Sequence, residues 1–246
     1  SVCATLPERT EMRVADLPLL ELSKKSTMEK LIVGILFLSV LSGSVAQTDM
    51  KGKAFIFPQE SSTAYVSLIP KVRKSLQNFT LCIKAFTDLT RPYSIFSYST
   101  RTKDNEILLF VEKRGEYMLY VGNSGVSFKA PTNLPDPVRI CVNWESGSGI
   151  AEFWLNGKAF GRKGLKKGYV VGGDAKIILG QEQDSFGGKF DVKQSFVGEI
   201  WDVSLWNYVV PIKEVHDSCN NGNIINWQAL IHEDRGYVVT KPKLWT

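Results

Sequence analysis

The sequence predicts an all-β fold: a two-sheet antiparallel jelly-roll sandwich with one short helix. Three observations predict it. From residue 53 onward, short runs rich in Tyr, Phe, Trp, Val and Ile follow one another, the composition that pleated half-buried surfaces favour. Turn residues separate these runs at short, fairly regular intervals. Gly147-Ser148-Gly149 joins two of them, and Asn156-Gly157 is a strong type I′ hairpin signal. Many short strands with Gly-rich turns belong to a sandwich or jelly roll rather than to alternating helix and strand.

In order, the strand runs are AFIFP, AYVSLI, NFTLCIKAF, YSIFSYS, NEILLFVEK, EYMLYVG, VSFKA, VRICVNWE, IAEFWL, AKIILG and SFVGEIWDVSLWN. Pro211 suits the first turn of a helix, and Ile212, Val215 and Cys219 recur at helical spacing. A helix is therefore expected over 212–219, ended by Asn221-Gly222. No internal repeat and no linker divides residues 47–246, which read as one domain.

Composition sets further bounds. Hydrophobic residues make up 43% and charged residues 22%, which excludes a disordered or collagen-like chain and supplies a full core. The net charge of +5 (30 minus 25) is too small to mark a nucleic-acid binder. The two histidines, His216 and His232, exclude a multi-His zinc site within one subunit and leave few candidates for a His-dependent triad.

The apolar block Leu31 to Leu41 is too short for a membrane span, which needs about 20 residues. Met28-Glu29-Lys30 precedes it and Ser44-Val45-Ala46 follows, the pattern of a secretory signal peptide over 28–46. Cleavage is expected after Ala46, and residues 1–27 read as an upstream extension. Secretion favours pairing of Cys82 and Cys141, both in strand-like runs. Closing the loop between them would contribute roughly 3–4 kcal/mol in the chain-entropy model. Cys219 is left over, as a buried thiol or an intermolecular bridge. Asn78-Phe79-Thr80 is a glycosylation sequon.

The chemistry concentrates in GQEQDSFGGKFDVKQ, residues 180–194. Glu182, Asp184 and Asp191 stand with Gln183 and Gln194 in a loop containing Gly180, Gly187 and Gly188. Three carboxylates this close repel one another unless something neutralises them, and protons cannot do so for all three without large pKa shifts. Calcium takes about 6–8 oxygen ligands from carboxylates, carbonyls and amides, the types this loop offers. A solvated acidic loop is the alternative. Asp104-Asn105, before the EILLF run, is a second oxygen pair; spacing alone reads it as an ordinary turn.

The runs QNFTLC, DNEILLF, GEYMLYVG, WESGSGIAEFW and GQEQDSFGGKFDVKQSFVGEI resemble the short pentraxins, the family of C-reactive protein and serum amyloid P component. The resemblance spans 47–246. The family signature His-x-Cys-x-Ser/Thr-Trp-x-Ser reads here Arg139-Ile-Cys141-Val-Asn143-Trp144-Glu-Ser146, two positions departing from it. What the resemblance implies is a lectin-like jelly roll, a Cys82–Cys141 bridge, and a homopentamer or stacked decamer. It also implies two calcium ions per subunit. Asp104, Asn105, Glu182, the Gln183 carbonyl and Asp184 would hold the first; Glu182, Asp184, Asp191 and Gln194 the second. Leu108, Phe110 and Tyr120 match the ligand pocket, while Gly125 falls where C-reactive protein has an acid facing choline. The resemblance thus implies phosphoethanolamine, acidic sugars and polyanions in preference to phosphocholine. Multivalent recognition of microbial surfaces, damaged membranes, chromatin or amyloid fibrils would follow, in innate immunity and opsonisation. Complement and Fc-receptor contact is implied on the opposite face, where Asn156 and Cys219 depart from C-reactive protein.

Two alternatives carry different expectations. A glycoside hydrolase on a related jelly roll needs paired carboxylates about 5–5.5 Å apart for retention. Glu182-Gln-Asp184 resembles half of such a motif, but Ser185-Phe186-Gly187 follow where a second acid would stand. A membrane-tethered surface protein would retain the 31–41 block as an anchor.

Overall fold

A computed structural model describes residues 47–133, 137–211 and 221–245. The chain divides into two units, Ser1–Val45 and Ala46–Thr246, and every described residue belongs to the second. The upstream segment, the expected signal peptide and the helix expected over 212–219, with Cys219, lie outside the described residues.

Fourteen strands form among the described residues. They are β1 (Lys53–Phe57), β2 (Tyr65–Ile69), β3 (Asn78–Phe86), β4 (Tyr93–Thr100), β5 (Ile107–Lys113), β6 (Glu116–Val121) and β7 (Ser124–Lys129). The second half adds β8 (Val138–Glu145), β9 (Ile150–Leu155), β10 (Lys158–Gly164), β11 (Ala175–Leu179), β12 (Gly198–Trp206), β13 (Ile231–Arg235) and β14 (Val239–Pro242). Two short 3₁₀ turns complete the set, Val192–Gln194 and Trp227–Ala229.

The strands make two seven-stranded antiparallel sheets, in the orders β10-β9-β8-β3-β12-β1-β14 and β13-β2-β11-β4-β5-β6-β7. Alternation explains how they meet. In β6 and β9 every second residue is buried, so each strand turns one face inward. The inward faces of both sheets share one core: Phe57, Leu81, Trp144 and Phe153 from the first sheet join Phe96, Leu109, Leu119 and Phe128 from the second. Phe128 and Phe153 stack across the gap with ring centroids 5.1 Å apart. The indole of Trp144 donates to the Leu165 carbonyl at 2.7 Å, so this large buried ring leaves no unpaired donor.

The eleven expected runs become β1 to β9, β11 and β12. Asn156 and Gly157, both at positive φ, turn β9 into β10 as the hairpin signal requires. Strands β10, β13 and β14 were not expected from the sequence. All three lie at sheet edges, and their charged or proline-bearing runs lack an apolar alternation.

Cys82 stands directly opposite Cys141 in the β3–β8 register, and the two form a disulfide. Their neighbours Leu81, Ile83, Ile140 and Val142 point into the shared core. The bridge therefore lies on the outer face of the first sheet, in a separate apolar cluster with Trp206, Val210 and Trp154. Trp144→Ala should cost about 3–5 kcal/mol. Urea unfolding checks this; a loss below 1 kcal/mol would contradict the placement of the ring at the core.

Candidate metal centre

The acidic loop joins β11 to β12, and Asp104-Asn105 sits in the turn between β4 and β5. Since β4 pairs with both β5 and β11, the three strands lie side by side. The site is built on the outer face of the second sheet. Leu108 and Phe110 point there, out of phase with the core residues Ile107, Leu109 and Val111.

Residues between the acids pin the loop. The Gln181 amide donates to the carbonyls of Ser61 at 2.6 Å and Ala64 at 2.9 Å. The Gln183 amide donates to the Ser97 and Lys176 carbonyls, and its oxygen accepts the Gly187 N–H at 2.9 Å. Gln183 thus spends its side chain inward, leaving its backbone carbonyl for any ligand role. Phe186 meets both the Arg101 guanidinium, 4.6 Å from the ring centre, and the Lys176 ammonium, 5.6 Å from it. At the far end the Asp191 carboxylate caps a 3₁₀ turn by accepting the Lys193 N–H at 2.9 Å.

The two halves of the site meet through Asn105, which donates to Glu182. Asn123, at positive φ in the β6–β7 turn, supports that half: its amide donates to Asp104 at 2.9 Å and its oxygen accepts the Asn105 N–H at 3.1 Å. The turn reading of Asp104-Asn105 is correct locally but incomplete, because the fold carries this turn to the acidic loop.

Charge is concentrated here. Burial, then the charges of Asp184, Asp104 and Glu112, push the Glu182 carboxyl up to about 7 against the relief given by Asn105. Burial also raises Asp184, together with the charges of Asp104 and Asp191; Lys189 offsets part of this. Among the described residues no three His, Cys, Asp or Glu side chains converge tightly enough by themselves to hold a metal ion. The oxygens that complete a donor set are amides. Asn105 Oδ1 and Gln194 Oε1 are buried and accept no hydrogen bond. An unpaired buried carbonyl oxygen is costly, and a hard cation satisfies it without needing a donor.

A cavity of about 430 Å³ opens beside Glu182 and Gln194. Leu108, Phe110 and Tyr120 line it, as do Arg91, Lys193 and Glu112. Tyr120 faces Gly125 across the β6–β7 ladder, and its ring stands where a Cβ at 125 would lie, 2.6 Å from that position. A side chain cannot occupy 125 while Tyr120 keeps this rotamer. The absence of an acid at 125 does not leave the pocket without one, because Glu112 supplies a carboxylate at its wall. Sequence reasoning missed Glu112, although 108, 110 and 112 share one period-two face.

The sequence pattern of the Pentaxin family matches residues 53–242, most of the chain. The chain belongs to the pentraxin family. This pentraxin is 87% identical over 218 residues to the mucosal pentraxin of Mus musculus, covering 89% of this chain and 100% of that protein. It is 51% identical over 222 residues to human serum amyloid P-component, again with 89% and 100% covered. A heptameric SAP-like pentraxin from Limulus polyphemus shares the fold, with a TM-score of 0.70 at 21% identity over 80% of this chain and 98% of that one. As a pentraxin it is a recognition protein and not an enzyme.

A pH dependence follows for the metal-free protein. With Glu182 raised from 4.5 to about 7, the folded state holds more protons than the unfolded one across that window. The contribution of this group to stability is therefore present at the acidic end and falls as pH rises. In chelator, wild type should lose stability relative to Glu182→Gln as pH climbs through the window. Urea midpoints of the pair test this, and parallel curves would contradict it.

Proposed function

We propose that this pentraxin is a secreted, calcium-dependent recognition protein for phosphate monoesters and other acidic ligands. The observation carrying the proposal is the pair of buried, unpaired carbonyl oxygens, Asn105 Oδ1 and Gln194 Oε1, set among crowded carboxylates. The donor set fits calcium in chemistry: four carboxylates (Asp104, Glu182, Asp184, Asp191), two amide oxygens and the Gln183 carbonyl. Asp104, Asn105, Glu182, the Gln183 carbonyl and Asp184 would hold one ion, and Glu182, Asp184, Asp191 and Gln194 a second. Four negative charges would balance two divalent ions.

Bound calcium supplies coordination positions for an anionic ligand oxygen. The chain's own residues set what accompanies that oxygen. Leu108, Phe110 and Tyr120 exclude water from the cavity wall, and Glu182 and Gln194 join the cavity to the proposed ion site. A short ligand such as phosphoethanolamine, or an acidic sugar, suits a cavity of this size, and longer polyanions would engage it by one end. No helix among the described residues is long and apolar enough to cross a membrane. The Cys82–Cys141 disulfide accords with secretion of 47–246 after removal of 28–46.

Ring assembly is part of the proposal. The Limulus relative is heptameric, and five subunits, singly or as a stacked pair, are proposed here. Several weak sites on one face would raise avidity by about 10² to 10⁴ on a repeating surface. Surfaces rich in phosphate monoesters, chromatin and fibrils are the proposed targets, with complement and Fc receptors as proposed partners in innate immunity. Asn78, half-buried at the start of β3, is the proposed glycan site. The Thr80 hydroxyl of that sequon is buried between the Tyr208 carbonyl and the Val210 N–H, so attachment would precede folding.

Chelation of calcium should abolish binding to immobilised phosphoethanolamine; undiminished binding refutes the reading. Asp184→Asn should weaken calcium affinity at least tenfold by calorimetry, because one carboxylate serves both proposed ions; an unaltered isotherm counts against the assignment. Without calcium, new protease cuts should fall between 184 and 193, beyond the Gln181 and Gln183 anchors, and equal digestion with and without the metal argues otherwise.

A further inference from the structure

The segment from β13 to β14 closes one open side of the sandwich. β13 is the edge of the second sheet, held by β2, and β14 is the edge of the first, held by β1. The turn that joins them is seated on Thr63 and Ala64. A Cβ added at Gly236 would stand 2.8 Å from the Ala64 Cα. The Ala64 carbonyl in turn anchors the Gln181 amide of the acidic loop at 2.9 Å.

β13 turns polar side chains toward the core. His232 lies opposite Leu68 and Asp234 opposite Val66, and both partners belong to the core. Cross-strand partners share a face, so His232 and Asp234 point between the sheets. The imidazole packs on Phe55 of β1 with ring centroids 4.9 Å apart. Its side chain is 14% exposed, and Nδ1 is buried with no hydrogen-bond partner. A second proton makes both ring nitrogens donors, so a charged N–H would be buried there without an acceptor.

Little compensates a charge at that place. The Asp234 carboxylate is 3.7 Å from Nε2, beyond a hydrogen bond, and its side chain is 36% exposed. Glu233 and Arg235 alternate to the other face and pair with each other at 3.0 Å. β2 presents Val66 and Leu68, and β1 presents Phe55. Lys53, two residues before Phe55, gives its ammonium to the Asp49 carbonyl at 3.2 Å. Burial therefore holds His232 below its ordinary 6.5, with Asp234 opposing in part.

We propose that His232 is an acid latch on this segment: uptake of a proton releases β13, and β14 with it, from the edge of the sandwich. The closed segment binds that proton more weakly than the released one. Its hold is therefore complete above 6.5 and declines as pH falls below it. Asp234 works in the reverse sense, because burial raises its carboxyl above the ordinary 3.8 against the pull of His232. Release lifts the Gly236 turn from Ala64 and so frees one support of the acidic loop.

Amide hydrogen exchange tests the latch, with wild type and His232→Phe compared at each pH so that intrinsic rates cancel. Phenylalanine keeps a ring against Phe55 and takes no proton. As pH falls from about 7 to about 5, the β13 and β14 amides of wild type should lose about fivefold to tenfold in protection relative to the variant. The β5 and β6 amides should show no such difference. Imidazole NMR on wild type gives a second measure, since only His216 and His232 contribute signals. His232 should titrate below 6.5, and Asp234→Asn should move its midpoint lower still. Equal protection in both chains across the range, or a loss shared equally by β5 and β6, overturns the inference. So does a His232 midpoint at or above 6.5, or one that Asp234→Asn leaves unmoved.

Discussion

Like charges stay close in this fold because neighbouring neutral groups hold them there. Gln181 and Gln183 alternate with Glu182 and Asp184 along the loop; the Gln181 amide is anchored to carbonyls of the β1–β2 loop and the Gln183 amide to carbonyls of β4 and β11. Asn123 does the same for Asp104, and Asn105 ties the two halves together. Each neutral bond contributes only about 0.5–1.5 kcal/mol, so several are needed to offset carboxylates that burial and repulsion both disfavour. The rest of the site inherits its shape from that balance. Glu182 borders the cavity while Gln183 beside it turns inward.

The sandwich keeps two outer faces chemically separate. On the first sheet, Cys82 and Cys141 sit with Trp206, Val210 and Trp154. On the second, Leu108 and Phe110 underlie the acidic loop. A close-packed core shared by both sheets lies between. That core gives the second sheet a rigid base, on which a loop of residues 180–195 can be positioned by a few side-chain bonds.

Much of this was legible in the sequence, and the exceptions have physical causes. Eleven strands announced themselves through β-branched and aromatic runs. β10, β13 and β14 did not, because exposed edges carry Lys, Arg, Asp and Glu where a pattern would need apolar residues. The acids at 182, 184 and 191 stood out by local density. Asp104 and Asn105 did not, since the strand order that brings them near is a long-range property; only the family resemblance supplied it. Glu112 was hidden by a charged pair, Glu112-Lys113, that reads as the solvated end of a strand. Its place on the face of Leu108 and Phe110 puts it at the cavity wall, which shows only once the loop that closes the cavity is in place.

The contact between Tyr120 and Gly125 also constrains what can stand at 125. A side chain at 125 meets the phenol ring of Tyr120 in its present rotamer, and a smaller residue at 120 removes that contact. An acid at 125 therefore requires Tyr120 either to leave its present rotamer or to shorten. With Tyr120 in place, a side chain at 125 would displace the ring that now lines the cavity.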